Sequence, residues 1–294
     1  MNYRHAFHAG NFADVMKHAL LARILVHLRG KETPFRVVDT HAGIGRYDLA
    51  GPQAERTLEW RAGIGRMEEP FGPEVEPLLA PYREVIGATR ARYGETVYPG
   101  SPAIVRELLR PADRAVFVEK HPEDGAVLAE RFNAVHNIKV MLMDGWIALR
   151  GLIPPKERRG LVLIDPPFEE PGELARAASR LRDAMRRWPT GIFAVWYPIK
   201  DMAEIESFVA AASGAQARDL LRLELLVDRP DGLRLAGSGL LVANPPWTLA
   251  GEAGLLLPAL AERLARRDYG AFRCERLERE PPRETRGPHV PGGS

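Results

Sequence analysis

Short apolar runs that end in a single acidic residue recur along the chain. Phe35-Arg36-Val37-Val38 leads into Asp39, Ala115-Val116-Phe117-Val118 into Glu119, Val140-Met141-Leu142-Met143 into Asp144, and Leu161-Val162-Leu163-Ile164 into Asp165. Runs of this length, mostly without polar alternation, predict buried strands. Between them the period changes. Residues 12–29 and Leu174 to Trp188 carry apolar positions at helical spacing, which predicts a helix ahead of the first strand and another after the fourth. Ile192 to Tyr197 reads as the next strand. Leu221 to Val227 and Gly239 to Ala243, with Asp231-Gly232 between them, read as the antiparallel pair that closes the sheet. One interval is too long. The first strand and its glycine turn end near residue 45 and the next strand begins near 115, whereas a strand-helix-strand step needs only about 30 residues. Residues 48–98 therefore read as an insertion. Within it, Leu58, Trp60, Ile64 and Met67, then Val75, Leu78, Leu79, Tyr82 and Val85, suggest short amphipathic helices.

The strand ends carry the candidate chemistry. In a parallel α/β sheet, ligands sit beyond the carboxyl ends of the strands, so Glu119 is placed to accept from ribose hydroxyls and Asp144 from an adenine amine. Gly43 and Gly45, in Asp39-Thr40-His41-Ala42-Gly43-Ile44-Gly45, let the backbone turn tightly and approach a ligand. This segment has neither the Gly-Lys-Ser/Thr ending of a phosphate loop nor the Gly-x-Gly-x-x-Gly of dinucleotide binders. The most informative segment is Asp165-Pro166-Pro167-Phe168. Its prolines restrict the backbone, so the Asp165 side chain and the Pro166 carbonyl are two fixed acceptors, with Phe168 as a ring for stacking. An adenine amine requires such a pair, because its lone pair is delocalised into the ring and must be localised before it attacks a methyl group. Asn244-Pro245-Pro246-Trp247 satisfies the same local pattern. Order along the chain separates them: the glycine turn and two acidic strand ends precede Asp165, and Asn244 reads as structural.

That order of glycine turn, two acidic strand ends and Asp-Pro-Pro-aromatic resembles the class I S-adenosylmethionine-dependent methyltransferases that act on amino nitrogens of bases. The N-terminal block from Tyr3 to His18 resembles, more specifically, the bacterial 23S rRNA adenine-N6 methyltransferases of the RlmJ family. Tyr98-Pro99-Gly100-Ser101-Pro102, Arg159-Gly160-Leu161, Trp196-Tyr197-Pro198 and Ser238-Gly239 are similar to that family as well. The resemblance implies a Rossmann-like α/β fold with a mostly parallel seven-stranded sheet, its last strand antiparallel, in a domain over residues 1–278. It implies S-adenosylmethionine as cofactor, held by Lys17, His18, His41, Gly43, Ser101, Glu119, Asp144 and Gly145. Asp165, Pro166 and Phe168 take the catalytic roles, and Tyr3, Arg4 and His5 meet the RNA. Phe168 stands where relatives often carry tyrosine, which keeps stacking and removes a phenolic hydroxyl. The 48–98 insertion is then expected on the cofactor side.

Composition fits a cytoplasmic enzyme; 23S rRNA as its partner is what the resemblance implies, and a monomer is expected. The 294 residues, 45% hydrophobic, suffice for a large core. A single cysteine, Cys274, excludes an internal disulfide framework. No stretch approaches the length of a membrane span, and Met1 to Gly10 is too polar for a signal peptide. A net charge of +2 is only mildly basic, so RNA contact must come from local patches. The candidates are Arg4, Lys17, Arg23 and Arg29 near the start and Lys156, Arg158 and Arg159 ahead of the catalytic strand. Five of eight histidines fall in the first 41 residues, yet no zinc-type spacing accompanies them, so no metal is expected. Residues 279–294 read as a disordered tail.

Overall fold

The computed structural model describes residues 4–213 and 219–277, so Tyr3 and the 279–294 tail lie outside the described residues. Among the described residues the strands are β1 (Arg36–Asp39), β2 (Arg46–Asp48), β3 (Val97–Pro99), β4 (Arg114–Glu119), β5 (Ile138–Leu142), β6 (Gly160–Ile164), β7 (Ile192–Ile199), β8 (Leu220–Leu226), β9 (Gly237–Ala243) and β10 (Ala271–Leu277). Eight of them form one sheet in the order β10-β8-β9-β7-β6-β1-β4-β5, and β2 pairs with β3 in a small separate sheet. β1, β4, β5, β6 and β7 pair in parallel, whereas β9 runs antiparallel to both β7 and β8. β6 is buried at every position, as a parallel strand covered on both faces demands. The antiparallel pair read from Leu221 and Gly239 onward is β8 and β9. An eighth strand, β10, extends the sheet beyond the seven expected. Its largely exposed Ala-Phe-Arg-Cys-Glu-Arg-Leu lacks a sharp two-residue period, because an edge strand has few core contacts to impose one.

The helices are α1 (Phe12–Arg29), α2 (Pro52–Thr57), α3 (Glu76–Tyr93), α4 (Ser101–Leu108), α5 (Pro122–Phe132), α6 (Gly145–Leu152), α7 (Glu173–Arg187), α8 (Met202–Ala212) and α9 (Leu249–Leu264). α1 starts where the Asn11 side chain accepts from Asp14 N, and most of its length is buried. α7 buries Ala177, Ala178, Leu181, Ala184 and Met185, a single stripe at helical spacing. Between β2 and β3, residues 48–98 form α2, two 3₁₀ turns (Glu59–Ala62 and Ile64–Arg66) and one long helix, α3. Met67, Leu79, Tyr82 and Val85 of this segment share one apolar core with α1.

Two features position the site. The sheet order reverses between β1 and β6, because the chain moves from β1 outward through β4 and β5 and returns to β6. Strands diverging there leave a crevice at their carboxyl ends, beside Asp39 and Asp165. Asn244, at the opposite edge of the sheet, sits at φ 51° and donates through Nδ2 to the carbonyls of Pro189 at 3.0 Å and Gly191 at 2.8 Å. The second proline loop is thereby tied to the start of β7.

Candidate active site

A cavity of about 320 Å³ opens at the β1/β6 crevice. At its floor α1 brings a buried ion chain to the acceptor loop. Lys17 Nζ lies 2.6 Å from Asp165 Oδ2 and 2.9 Å from Asp14 Oδ1. Asp14 Oδ2 in turn meets His5 Nε2 at 2.8 Å and accepts from Gly10 N at 2.9 Å. Burial pulls the Lys17 ammonium down, but the two carboxylates more than offset this and its pKa is raised. Burial likewise pushes Asp14 up, and the charges of His5 and Lys17 bring it well below the ordinary carboxylate range. Lys17 is only 4% exposed, and in this setting an ion pair persists only with its partners in place.

The strand ends line the other side of the cavity. Glu119 Oε2 accepts from Gly43 N at 2.9 Å and Oε1 from His121 N at 2.7 Å. A carboxylate offers about four lone-pair sites, so these bonds fix its orientation and leave acceptor capacity for hydroxyls. Burial raises its pKa, and the backbone N–H groups oppose the rise. Asp144 caps α6 by accepting from Trp146 N and Ile147 N through Oδ1, while Oδ2 pairs with exposed Lys120 at 3.1 Å. Burial would raise Asp144, but the Lys120 bond and the helix N–H groups leave it lowered. Gly43 has φ +60°, and a Cβ there would meet Tyr47 Oη at 2.3 Å; at Gly145 a Cβ would meet the Thr40 carbonyl at 2.1 Å. Both backbones are packed too closely for any side chain.

Buried imidazoles complete the wall. Burial brings His41 down to about 4 and His18 to about 3, so both are neutral near pH 7. His18 Nδ1 shares a hydrogen bond with Tyr98 Oη at 2.7 Å, and Tyr98 with Tyr82 Oη of α3 at 2.7 Å, which ties the 48–98 helices to the site. Ser101 Oγ donates to Asp39 Oδ2 at 2.6 Å. Burial drives Asp39 from its ordinary 3.8 up to about 7, against the Ser101 bond and with the help of the Asp165 charge. Between about pH 4 and 7 the folded chain therefore holds a proton that the unfolded chain has released. Stability should fall as pH rises through that window and level off above it. Asp39→Asn should lack this loss, so urea midpoints at pH 5 and pH 8 should show the variant gaining on the wild type as pH increases.

The structure gathers Lys17, His18, His41, Gly43, Ser101, Glu119, Asp144 and Gly145 on the lining of the cavity, together with His5, Asp165 and Pro166. Phe168 stands apart. At φ 50° its ring turns toward Trp196, 5.7 Å away at 57°, and borders an adjoining cavity with Pro198 and Lys200. Arg4 pairs with Glu123 and does not line the cavity. Among the basic candidates, Arg23 is committed to Glu252 at 2.9 and 2.8 Å, and Arg159 donates to the carbonyls of Thr33 and Leu28. Trp196, Tyr47, Lys120 and His121 also stand at the site. Trp196 lies inside the apolar period of β7, where no single-sequence signal separates a wall of a pocket from a core residue.

Comparison with known proteins fits this geometry. A family model described as ribosomal RNA large subunit methyltransferase D, RlmJ, matches residues 32–277. The chain belongs to this family. It is 38% identical to the ribosomal RNA large subunit methyltransferase J of Haemophilus influenzae over 94% of this chain and 98% of that protein. The Escherichia coli protein of the same name is also 38% identical, over 90% and 94% respectively. A crystal structure of a Legionella pneumophila protein, 31% identical, superposes with a TM-score of 0.80 and covers 91% of this chain and 98% of that one. The fold of this RlmJ-family chain is the class I methyltransferase fold, and S-adenosylmethionine is its methyl donor.

The residues present fit that cofactor. Seven carboxylates line the cavity against Lys17, Lys120 and Arg176, an acceptor set suited to a cationic ligand with hydroxyl and amine hydrogens. Gly43 and Gly145 stand on the lining, where Tyr47 and the Thr40 carbonyl leave no room for a Cβ. Glu119→Ala should weaken S-adenosylmethionine binding by about 10–100-fold, because a hydrogen bond to a charged group contributes about 1.5–3 kcal/mol. Calorimetry on the folded variant checks this, and unchanged affinity would remove Glu119 from the site.

Proposed function

We propose that the chain methylates the exocyclic N6 amine of a specific adenine in 23S ribosomal RNA, acting as a cytoplasmic monomer. The observation that carries this reading is the acceptor loop itself. Asp165 and Pro166 stand at the end of β6, on the lining of the acidic cavity, and Lys17 holds the Asp165 carboxylate through Oδ2. Asp165 Oδ1 and the Pro166 carbonyl are then the acceptors for the two amine hydrogens. When bound, S-adenosylmethionine supplies a methyl group already activated by its sulfonium charge. Glu119, Asp144, His41, His18 and Ser101, with Gly43 and Gly145, hold the donor side, and Lys17 acts as a positioning residue for Asp165. Phe168, which packs on Trp196 and borders the adjoining cavity, would have to turn toward the entering base to stack on it, where stacking contributes about 1–3 kcal/mol. Positioning and fixed dipoles supply most of the acceleration, since Asp165 need take no proton until the new bond has formed.

The N-terminal segment is proposed to close over the nucleotide, because His5 lines the cavity and its ring reaches the buried Asp14. In this reading Arg4, paired with Glu123 in the structure, also meets the RNA; Tyr3 lies outside the described residues. No helix among the described residues is long and apolar enough to cross a membrane. The test is mass spectrometry of nucleosides from 23S rRNA incubated with purified protein and S-adenosylmethionine. N6-methyladenosine at one site is expected. Methylation of another base, or of DNA in preference to rRNA, overturns the assignment.

A further inference from the structure

An RNA strand entering this site brings a phosphate on every nucleotide, and the cavity is the wrong place for them. Its seven carboxylates face three cationic side chains, of which Lys17 is engaged by Asp14 and Asp165, and Lys120 by Asp144. The phosphates must be met elsewhere, and the two helices α6 and α7, which reach the catalytic cavity, also carry such a place. Gly145 and Trp146 of α6, with Glu173 and Arg176 of α7, line the catalytic cavity. Further along the same two helices a second cavity of about 240 Å³ opens. Its floor is apolar, made of Leu149, Ile153 and Ala184, and its rim is Arg150, Arg180, Arg186 and Arg187 with Asp183 as the one carboxylate.

The charges on this rim are not balanced within the protein. Arg186 pairs with Asp183. Arg150, Arg180 and Arg187 have no carboxylate or hydrogen-bond partner among the described residues, in contrast to Arg23 on Glu252 and Arg159 on the 28–33 carbonyls. At its far end this second cavity meets the basic segment ahead of β6. Trp188 Nε1 donates to the Arg158 carbonyl at 3.3 Å, next to Arg187, and Lys156 and Arg158 are both exposed there. From Arg176 to Arg187 the helix rises about 16 Å. Along α6 and α7 the lining thus changes from acidic at the catalytic cavity to basic at the second one.

We propose that this α6/α7 groove holds the phosphodiester backbone of the 23S rRNA flanking the target adenine, with Arg150, Arg180 and Arg187 as the main contacts. The proposal rests on the rRNA reading above. Guanidinium groups suit phosphates because their planar fork donates two parallel hydrogen bonds, and the apolar floor lets the side-chain stems lie flat. Charge complementarity also orders the two ligands: the cationic cofactor is drawn to the acidic end and the polyanion to the basic one.

The test compares wild type with the triple variant Arg150→Gln/Arg180→Gln/Arg187→Gln. Binding of a 23S rRNA fragment is measured across a salt series, alongside S-adenosylmethionine calorimetry and steady-state kinetics. Each lost phosphate contact lowers the slope of log K against log salt by about 0.7–0.9, so a fall of about 2 is expected. KM for RNA should rise by about 10–100-fold at moderate salt, with kcat at saturating RNA and cofactor affinity nearly unchanged. The corresponding triple lysine variant should recover most of the slope, which a purely structural role for the arginines would not produce. A wild-type slope and KM in the folded glutamine variant overturn the groove. A slope difference without methylation of adenine by the wild type upholds the groove and overturns the reaction.

Discussion

Asp165→Ala is expected to lower methyl transfer by about 10²–10³-fold while S-adenosylmethionine affinity stays close to wild type. Only the geometry of transfer loses an acceptor, because the residues that hold the donor, Glu119 and Asp144, are fixed by their own backbone N–H partners at Gly43, His121, Trp146 and Ile147. Lys17 keeps Asp14 at 2.9 Å, so the fold should survive. The control is Asn244→Ala in the other proline loop. Its Nδ2 satisfies two carbonyls and its φ is left-handed, so the loss should be about 1–3 kcal/mol of stability with kcat retained. Single-turnover methylation and denaturant midpoints on both variants check the pair. An inactive but stable Asn244→Ala protein beside an active Asp165→Ala one would exchange the roles of the loops.

Lys17→Met should be the most destabilising single change near the site. It leaves Asp165 and the wholly buried Asp14 facing each other without the ammonium between them, and breaking a buried pair in this way costs about 3–5 kcal/mol. Methionine has a similar reach, so lost packing contributes little. The double variant Asp14→Asn/Lys17→Met removes one of the stranded charges and should recover part of the loss in urea unfolding at pH 7. Recovery of stability without recovery of methylation would separate the structural duty of Lys17 from its positioning of Asp165. A Lys17→Met protein as stable as wild type would show that the ion chain is not held as the geometry indicates.

Much of this was legible in one dimension. The acidic strand ends at Asp39, Glu119, Asp144 and Asp165 fall at the carboxyl edge of β1, β4, β5 and β6 or just past it; β1, β4 and β6 are apolar until they leave the core because both their faces are covered, whereas β5, at the edge of the sheet, buries only Ile138. The helical period of residues 12–29 became α1 for the same reason. Where local signals were weak, the reading was coarser. β10 went unread because its edge position imposes no clear alternation, and the 48–98 segment combines short helical pieces over residues 52–66 with one long helix, α3, where short helices alone were expected.

The sequence by itself determined seven strands of the main sheet, the order of their acidic ends, the proline loop and, through resemblance, the family. Only the tertiary structure decided which charges meet. Lys17 and Asp165 are separated by 148 positions and lie 2.6 Å apart, a pairing no local period can encode because it depends on how α1 crosses the β1/β6 crevice. The same applies to Phe168, which the chain order placed beside Asp165 but which a left-handed φ turns toward Trp196. The basic residues were sorted likewise: burial and nearby carboxylates or carbonyls engaged Lys17, Arg23 and Arg159, while the packing of α6 against α7 left Arg150, Arg180 and Arg187 together without partners among the described residues. Composition counts charges, and the fold decides which of them are already neutralised, because Coulomb energies depend on distance and burial rather than on position along the chain.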